Sequence, residues 1–362
     1  MELDKTTLYD LSVFANEEEF SVFGKLNEAI TSSGRDEFKK MLYTPLLSVT
    51  TSTDIQLTLK QIGEKESGWT KLISNGTIMV VERYFHATID EIPAYPNKLS
   101  ALTYKVFSGQ DYSLIKYSAK HCFDFIKGMR QLQELLHSPE ASAPLQKVLS
   151  RCQNILQHTA AYTSGFATTE EMPHTALLRF GHFIRYRFKT NMHELLQMHA
   201  TLDAWHGMAI AIKKFQLVFP ELVASETPVI EARGLYHILL EQPVGYDTQL
   251  NKDAHFLFLT GANMAGKSTF IKAVGIAVFL AHAGMAVPAA FLRLSVFDGM
   301  LSNINMADNI IKGESYFYNE VQRVKATLQK VNDGKKWLIL IDELFKGTNV
   351  EDAMKCSTAV IE

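Results

Sequence analysis

Two stretches of this sequence carry residue types whose spacing suits chemistry on a phosphate. The first runs Gly261, Ala262, Asn263, Met264, Ala265, Gly266, Lys267, Ser268, Thr269: a glycine, four residues, then Gly-Lys-Ser. Glycines let main-chain N–H groups turn inward around phosphate oxygens, and a helix beginning just after them adds the positive end of its dipole. Lys267 supplies a point charge and Ser268 a hydroxyl for Mg²⁺. The second stretch is "WLILIDE", an apolar run closed by Asp342 and Glu343, with Asp342 lying 75 residues beyond Lys267. A strand ending this way presents its first acid to a metal shell and its second to the attacking water. The plainer alternatives are a chance glycine turn and an acidic strand end that caps the next helix. An apolar strand-like run before the loop and a helical run after it favour the phosphate reading.

The elements that must position these residues can be read from periodicity. "HFLFLT", residues 255–260, is expected as the strand leading into the loop, and "AVGIAVFLAHAGMAV", Ala273 to Val287, as a helix buried against a sheet. That run is shorter than the ~20 apolar residues needed to cross a bilayer, so no membrane partner is expected. The character of the chain changes once, near residues 217–230. Earlier, Leu114, Tyr117, His121, Phe125, Met129, Leu132 and Leu136 recur at three- and four-residue steps. "HSPEASAP" breaks this run, and Leu145, Val148, Leu149, Cys152, Ile155 and Leu156 form a second series. A third helical stretch starts after Pro173 and runs toward Phe215 with no internal proline. Long helices joined by short turns predict an elongated antiparallel bundle. The expected organisation is multidomain, α followed by α/β: helical over residues 1–222, then an α/β layer over 223–362.

Composition bounds the function. The 362 residues are 47% hydrophobic and allow two or three cores. A net charge of -3 argues against nucleic-acid binding driven by bulk charge, so any DNA contact must be local or shared with another subunit. Cys122, Cys152 and Cys356, an odd set at unrelated spacings, fit a reducing cytoplasm better than a disulfide framework.

The motifs "TGANMAGKST", "AGMAVPA", "GESYFYNE" and "LIDELFKGTNVED" fall in the order and approximate spacing of the ATPase domain of the MutS DNA mismatch-repair proteins, from about His237 onward. "TSSGRDEFKKMLYTPLLS", Thr31 to Ser48, resembles the start of the MutS core and lever. The resemblance implies a helical core/lever domain followed by an ABC-type P-loop ATPase domain that uses ATP and Mg²⁺. It further implies a homodimer formed through the ATPase domains and gated by ATP, acting on DNA in repair or recombination. Lys267 would grip the phosphates, Ser268 and Asp342 hold the metal, and Glu343 handle the water. The turn Gly313–Ser315 would face the nucleotide of the other subunit, with Ser315 donating to its γ-phosphate; by itself Ser315 reads as a cap for the helix containing Val321 and Val324.

The chain also departs from the pattern. Phe345 and Lys346 stand where the family usually has glycine and arginine, Ala265 and Ala353 replace glycines, and Ile238 replaces a proline. Lysine keeps the charge but not the bidentate fork of arginine. Val244 and Tyr246 are both candidates to pack on adenine. The resemblance implies a chain that starts at the lever, so mismatch reading by the Phe-x-Glu wedge of the family's N-terminal domain is not expected of it. Phe219 to Glu221 reads as linker, and "HSPEASAP" is too short for an inserted clamp. It stops at "CSTAVIE", which reads as mid-helix, so C-terminal truncation is expected.

Arg179, Arg185, Tyr186, Arg187, Phe188 and Lys189 are a candidate DNA-backbone contact, against the plainer reading of a solvated helix face. His193, His199 and His206 lack metal-ligand spacing. Three functions follow: an ATP-gated MutS-type ATPase on DNA, an ATP-gated dimerisation module acting on a protein partner, and a P-loop kinase for a small molecule. The paired acids after a distant phosphate loop disfavour the third.

Overall fold

The computed structural model describes residues 1–15, 17–304, 316–345 and 348–361. The chain forms two compact units, each assembled from separate stretches: one takes Met1–Asn27, Lys39–Gln56 and Ala211–Glu362, the other Glu28–Phe38 and Leu57–Ile210. Helices dominate, with two small sheets. Among the described residues no helix is long and apolar enough to cross a membrane.

The second unit is helical. Its longest helix, Gly109–Leu136, buries Ile115, Ala119, Cys122, Ile126, Met129, Leu132 and Leu136, a stripe at three- and four-residue steps. Each large apolar side chain removed from water there contributes about 1.5–3 kcal/mol. The expected stripe coincides with this one from Met129 onward, with Phe125 buried beside it, but is out of phase earlier: Leu114 is 36% exposed and Tyr117 55%. The observed phase turns the small Ala119 and Cys122 toward the core in that half. Helix Ala143–Leu156 follows with Leu145, Leu149, Cys152, Ile155 and Leu156 buried as expected, while Val148 of the same series is half-buried.

The third expected helix is interrupted. Helix His174–His182 passes into a π turn at Phe183–Arg187, where Phe188 N–H donates to Phe183 O at 2.9 Å, and helix Lys189–Lys214 resumes beyond it. No proline is needed for such a break, since a π turn itself disrupts the regular ladder. Arg185 donates to the carbonyls of Tyr84 and Ala87, capping the end of helix Asn75–His86. Phe183 stacks on Tyr162 at 4.0 Å and on Phe188 at 5.0 Å. Buried Asp203 accepts from Ile30 N–H at 3.0 Å, Thr31 N–H at 2.8 Å and Thr31 Oγ1 at 2.5 Å. It thereby fixes the entry to "TSSGRDEF", and Thr31 Oγ1 accepts from Gly34 N–H at 3.1 Å.

The first unit holds both sheets. Strands β1 (Glu2–Leu3), β2 (Glu221–Val223), β3 (Ile230–Leu235), β4 (Tyr246–Leu250), β5 (Phe291–Ser295), β6 (Gly299–Asn303) and β7 (Trp337–Ile341) are arranged as β1-β6-β7, all parallel, and β2-β5-β3-β4. "WLILI" is thus the expected strand. "HFLFLT" is not: residues 255–260 form no ladder, and Phe256, Leu257 and Phe258 are 60%, 46% and 70% exposed. An apolar run becomes a strand only when a neighbour takes its N–H and C=O groups. Among the described residues β7 has one neighbour, β6, and 255–260 has none.

Helix Lys267–His282 touches β7 and β3, strands of different sheets, and is buried continuously from Ala273 to His282. This explains its nearly uninterrupted apolar sequence. Its last residue is fixed by two hydrogen bonds: Phe297 N–H donates to His282 Nε2 at 2.9 Å, and Nδ1 lies 2.8 Å from Val278 O. Nε2 therefore accepts and Nδ1–H donates, which is the neutral imidazole.

Burial lowers the His282 pKa from 6.5 to about 4, and burial does the same for His199, where Asp203 opposes it, and for His237. The unfolded chain binds more protons between those two values, so stability is complete above about 6.5 and falls as pH drops toward about 4. The urea midpoint read by tryptophan fluorescence is expected to be lower at pH 5 than at pH 7.5, and the dependence shallower in His282→Gln. A midpoint that does not change with pH would contradict these buried neutral imidazoles.

Candidate active site

The loop from Gly261 to Gly266 is shaped by its backbone. Ala265 N–H donates to Ala262 O at 3.2 Å, closing a turn, and Gly266, at φ 90°, stands immediately before helix Lys267–His282. A left-handed backbone there suits glycine, and a Cβ on Gly266 would lie 3.0 Å from Tyr246 Oη. Met264 also takes a positive φ, 66°, and its side chain is fully exposed. Tyr246 meets Phe270 of the first helical turn edge to face at 5.4 Å, while Val244 is exposed.

Lys267 folds back on its own loop: Nζ donates to Gly261 O at 2.8 Å and Ala262 O at 3.0 Å. The same ammonium would have to leave those carbonyls to reach a phosphate, exchanging two hydrogen bonds to neutral oxygens for ones to an anionic oxygen. Ser268 Oγ donates to Asp342 Oδ2 across 74 residues of sequence. The helix after the loop and the strand that ends in acids are therefore joined at their functional ends. Asp342 is held in turn, its N–H donating to Asn303 O at 3.0 Å, which continues the β6–β7 register of Asn303 with Ile341.

Beyond the strand the backbone turns sharply. Glu343, exposed, has φ 51° and Phe345, buried, has φ 61°. Phe345 N–H donates to Glu320 Oε1, and its ring meets Phe317 at 6.1 Å. Glu320 is itself buried on helix Tyr316–Val331. It lies inside the "GESYFYNE" stretch, but a carboxylate there carries no sequence mark of the backbone it holds. Helix Val350–Ile361 begins after Asn349, whose Oδ1 accepts from Asp352 N–H at 2.9 Å. Ser315 and Lys346 lie outside the described residues.

The structure thus brings Lys267, Ser268, Asp342 and Glu343 to one locus. The donors fit Mg²⁺ in kind: one hydroxyl and one carboxylate, hard oxygens that leave positions for phosphate and water. No cluster of three His, Cys, Asp or Glu side chains suited to a metal occurs among the described residues.

Residues 257–362 match the family model described as MutS domain V. The DNA mismatch repair protein MutS of Streptococcus uberis is 29% identical over 204 residues, 53% of this chain and 24% of that protein. MutS of Pelotomaculum thermopropionicum is 34% identical over 170 residues, 45% of this chain and 19% of that protein. The DNA mismatch repair protein MSH3 of Vanderwaltozyma polyspora is 32% identical over 176 residues, covering 47% and 17%. The chain is thus similar to MutS proteins over about half of its length. The chain spans about a quarter or less of the length of these MutS relatives.

The MutS resemblance puts a glycine where this chain has Phe345, and φ 61° supplies the physical reason a glycine suits the position. A left-handed phenylalanine costs about 1–2 kcal/mol. Its buried ring, 4% exposed, offsets this. Emptying such a site costs about 3–5 kcal/mol, so burial outweighs strain. Phe345→Gly is expected to lower the urea midpoint despite relieving the backbone. A more stable variant would show that the ring contributes little.

Proposed function

We propose that this chain is the ATP-responsive part of a MutS-type protein, with a helical core/lever drawn from residues 1–222 and an ABC-type P-loop ATPase domain drawn from 223–362, to whose compact unit Met1–Asn27, Lys39–Gln56 and Ala211–Leu222 also belong. The observation that carries the reading is the hydrogen bond from Ser268 to Asp342, the two side chains expected to share a metal. Gly261 to Thr269 would wrap the phosphates with main-chain N–H groups, and Lys267 would neutralise the outer ones. Mg²⁺, held by Ser268 and Asp342, would supply charge neutralisation on the phosphate oxygens. Glu343, exposed just past the strand end, would orient a water and accept its proton as the water oxygen bonds to phosphorus and the terminal phosphoryl leaves ADP.

We place this site in a homodimer in which ATP draws two ATPase domains together, Ser315 serving the neighbouring nucleotide, and the assembly acts on DNA in mismatch repair or recombination. The names of the relatives support the DNA assignment. So does a reduced basic set: Arg179, Arg187 and Lys189 are exposed. Arg185 and Phe188 leave that set, one bonded to backbone carbonyls and the other 1% exposed.

Fluorescent ADP should bind the purified chain in the presence of Mg²⁺, and Lys267→Ala should weaken it at least about tenfold. Glu343→Gln should keep binding while lowering phosphate release about a hundredfold or more, since it removes proton acceptance and not affinity. Equal binding by wild type and Lys267→Ala would remove the phosphate-loop reading. DNA anisotropy that ignores ATP would instead favour a protein partner.

A further inference from the structure

Asp10 lies at the end of helix Lys5–Asp10, far in sequence from the phosphate loop and the paired acids, yet it is fully buried. Its Oδ2 accepts from Ser302 Oγ at 2.6 Å, from Ile304 N–H at 3.0 Å and from Arg323 Nη2 at 3.1 Å. Thr7, one turn earlier, accepts Ser302 N–H at 3.0 Å, and Arg323 also donates to Ser302 O. A buried carboxylate is costly unless its oxygens are bonded, and removing one partner exposes that cost. The partners are specific: the C-terminal end of β6 and one face of helix Tyr316–Val331.

Both partners reach the acid pair. Asn303, between the two residues that Asp10 contacts, accepts Asp342 N–H at 3.0 Å. On the helix, Glu320, one turn before Arg323, accepts Phe345 N–H just past Glu343, and Thr327, one turn after, takes a hydrogen bond from Asn303 Nδ2 at 3.5 Å. Backbone on either side of Asp342 and Glu343 is thus held by β6 and by this helix, and Asp10 with Arg323 joins the two.

We propose that Asp10 is a positioning residue for the metal-binding acid: through Arg323 and residues 302–304 it sets where Asp342 stands relative to Ser268. The inference rests on the nucleotide-site reading above and adds that the N-terminal helix is part of the site's support. Outer contacts of this kind change metal affinity when lost, leaving ligand binding without metal largely intact.

The test compares fluorescent ADP affinity with and without Mg²⁺ in wild type, Asp10→Asn, Arg323→Gln, Arg323→Lys and the double variant Asp10→Asn/Arg323→Gln. The ratio of the two affinities reports metal placement, which a general loss of stability does not change in the folded fraction. The ratio is expected to fall about tenfold in Asp10→Asn and in Arg323→Gln, with Mg²⁺-free affinity within about twofold of wild type. The double variant should be no worse than either single, and Arg323→Lys should recover most of the ratio. Should Asp10→Asn fail to fold by circular dichroism, Arg323→Gln carries the same comparison. A wild-type ratio in the folded variants overturns the positioning role and leaves the nucleotide site standing. Wild type that binds no ADP under either condition overturns both.

Discussion

The hydrogen bond between Ser268 and Asp342 is the constraint on which the site depends, because it joins the start of one helix to the end of one strand. Neither residue can place itself. Ser268 follows the left-handed Gly266, and its helix is fixed by continuous burial from Ala273 to His282 between strands of two sheets. Asp342 is fixed by the parallel register of β6 and β7, from Gly299 with Trp337 to Asn303 with Ile341. A one-residue slip in that ladder would turn the acid to the other face of the sheet. Gly299 helps to set the register, since a Cβ there would lie 2.1 Å from the Trp337 ring.

The elements carried by strong local signals were legible in the sequence. "GKST" opens a helix, "WLILI" is a strand, and the series from Leu145 to Leu156 is a buried helical face. What local pattern could not supply was pairing. "HFLFLT" has the composition of a strand, but strand formation is decided by a neighbour, and none stands beside it among the described residues. The phase of helix Gly109–Leu136 is ambiguous in its first half for a related reason: two adjacent stripes both have helix spacing, and packing buries Ile115, Ala119 and Cys122. The break at Phe183–Arg187 carries no proline or glycine, and Arg185 within it bonds to a helix end about a hundred residues earlier.

Long-range polar contacts were the least visible part. Asp10, Glu320, Arg323 and Asn303 are ordinary residues in sequence, and each serves backbone or side chains distant along the chain. Their type is uninformative because a buried carboxylate differs from a surface one only in its partners. Phe345 is the converse case: the sequence marked it as a departure, and the backbone dihedral explains why a smaller residue would sit there with less strain.

In the proposed site Ser268 and Asp342 share one divalent ion beside a nucleotide. The most direct measurement is the anomalous scattering of Mn²⁺ in crystals of the chain grown with ADP. A peak bonded to both side chains and to a phosphate oxygen is expected. A peak elsewhere, or nucleotide bound with no peak between Ser268 and Asp342, would contradict it.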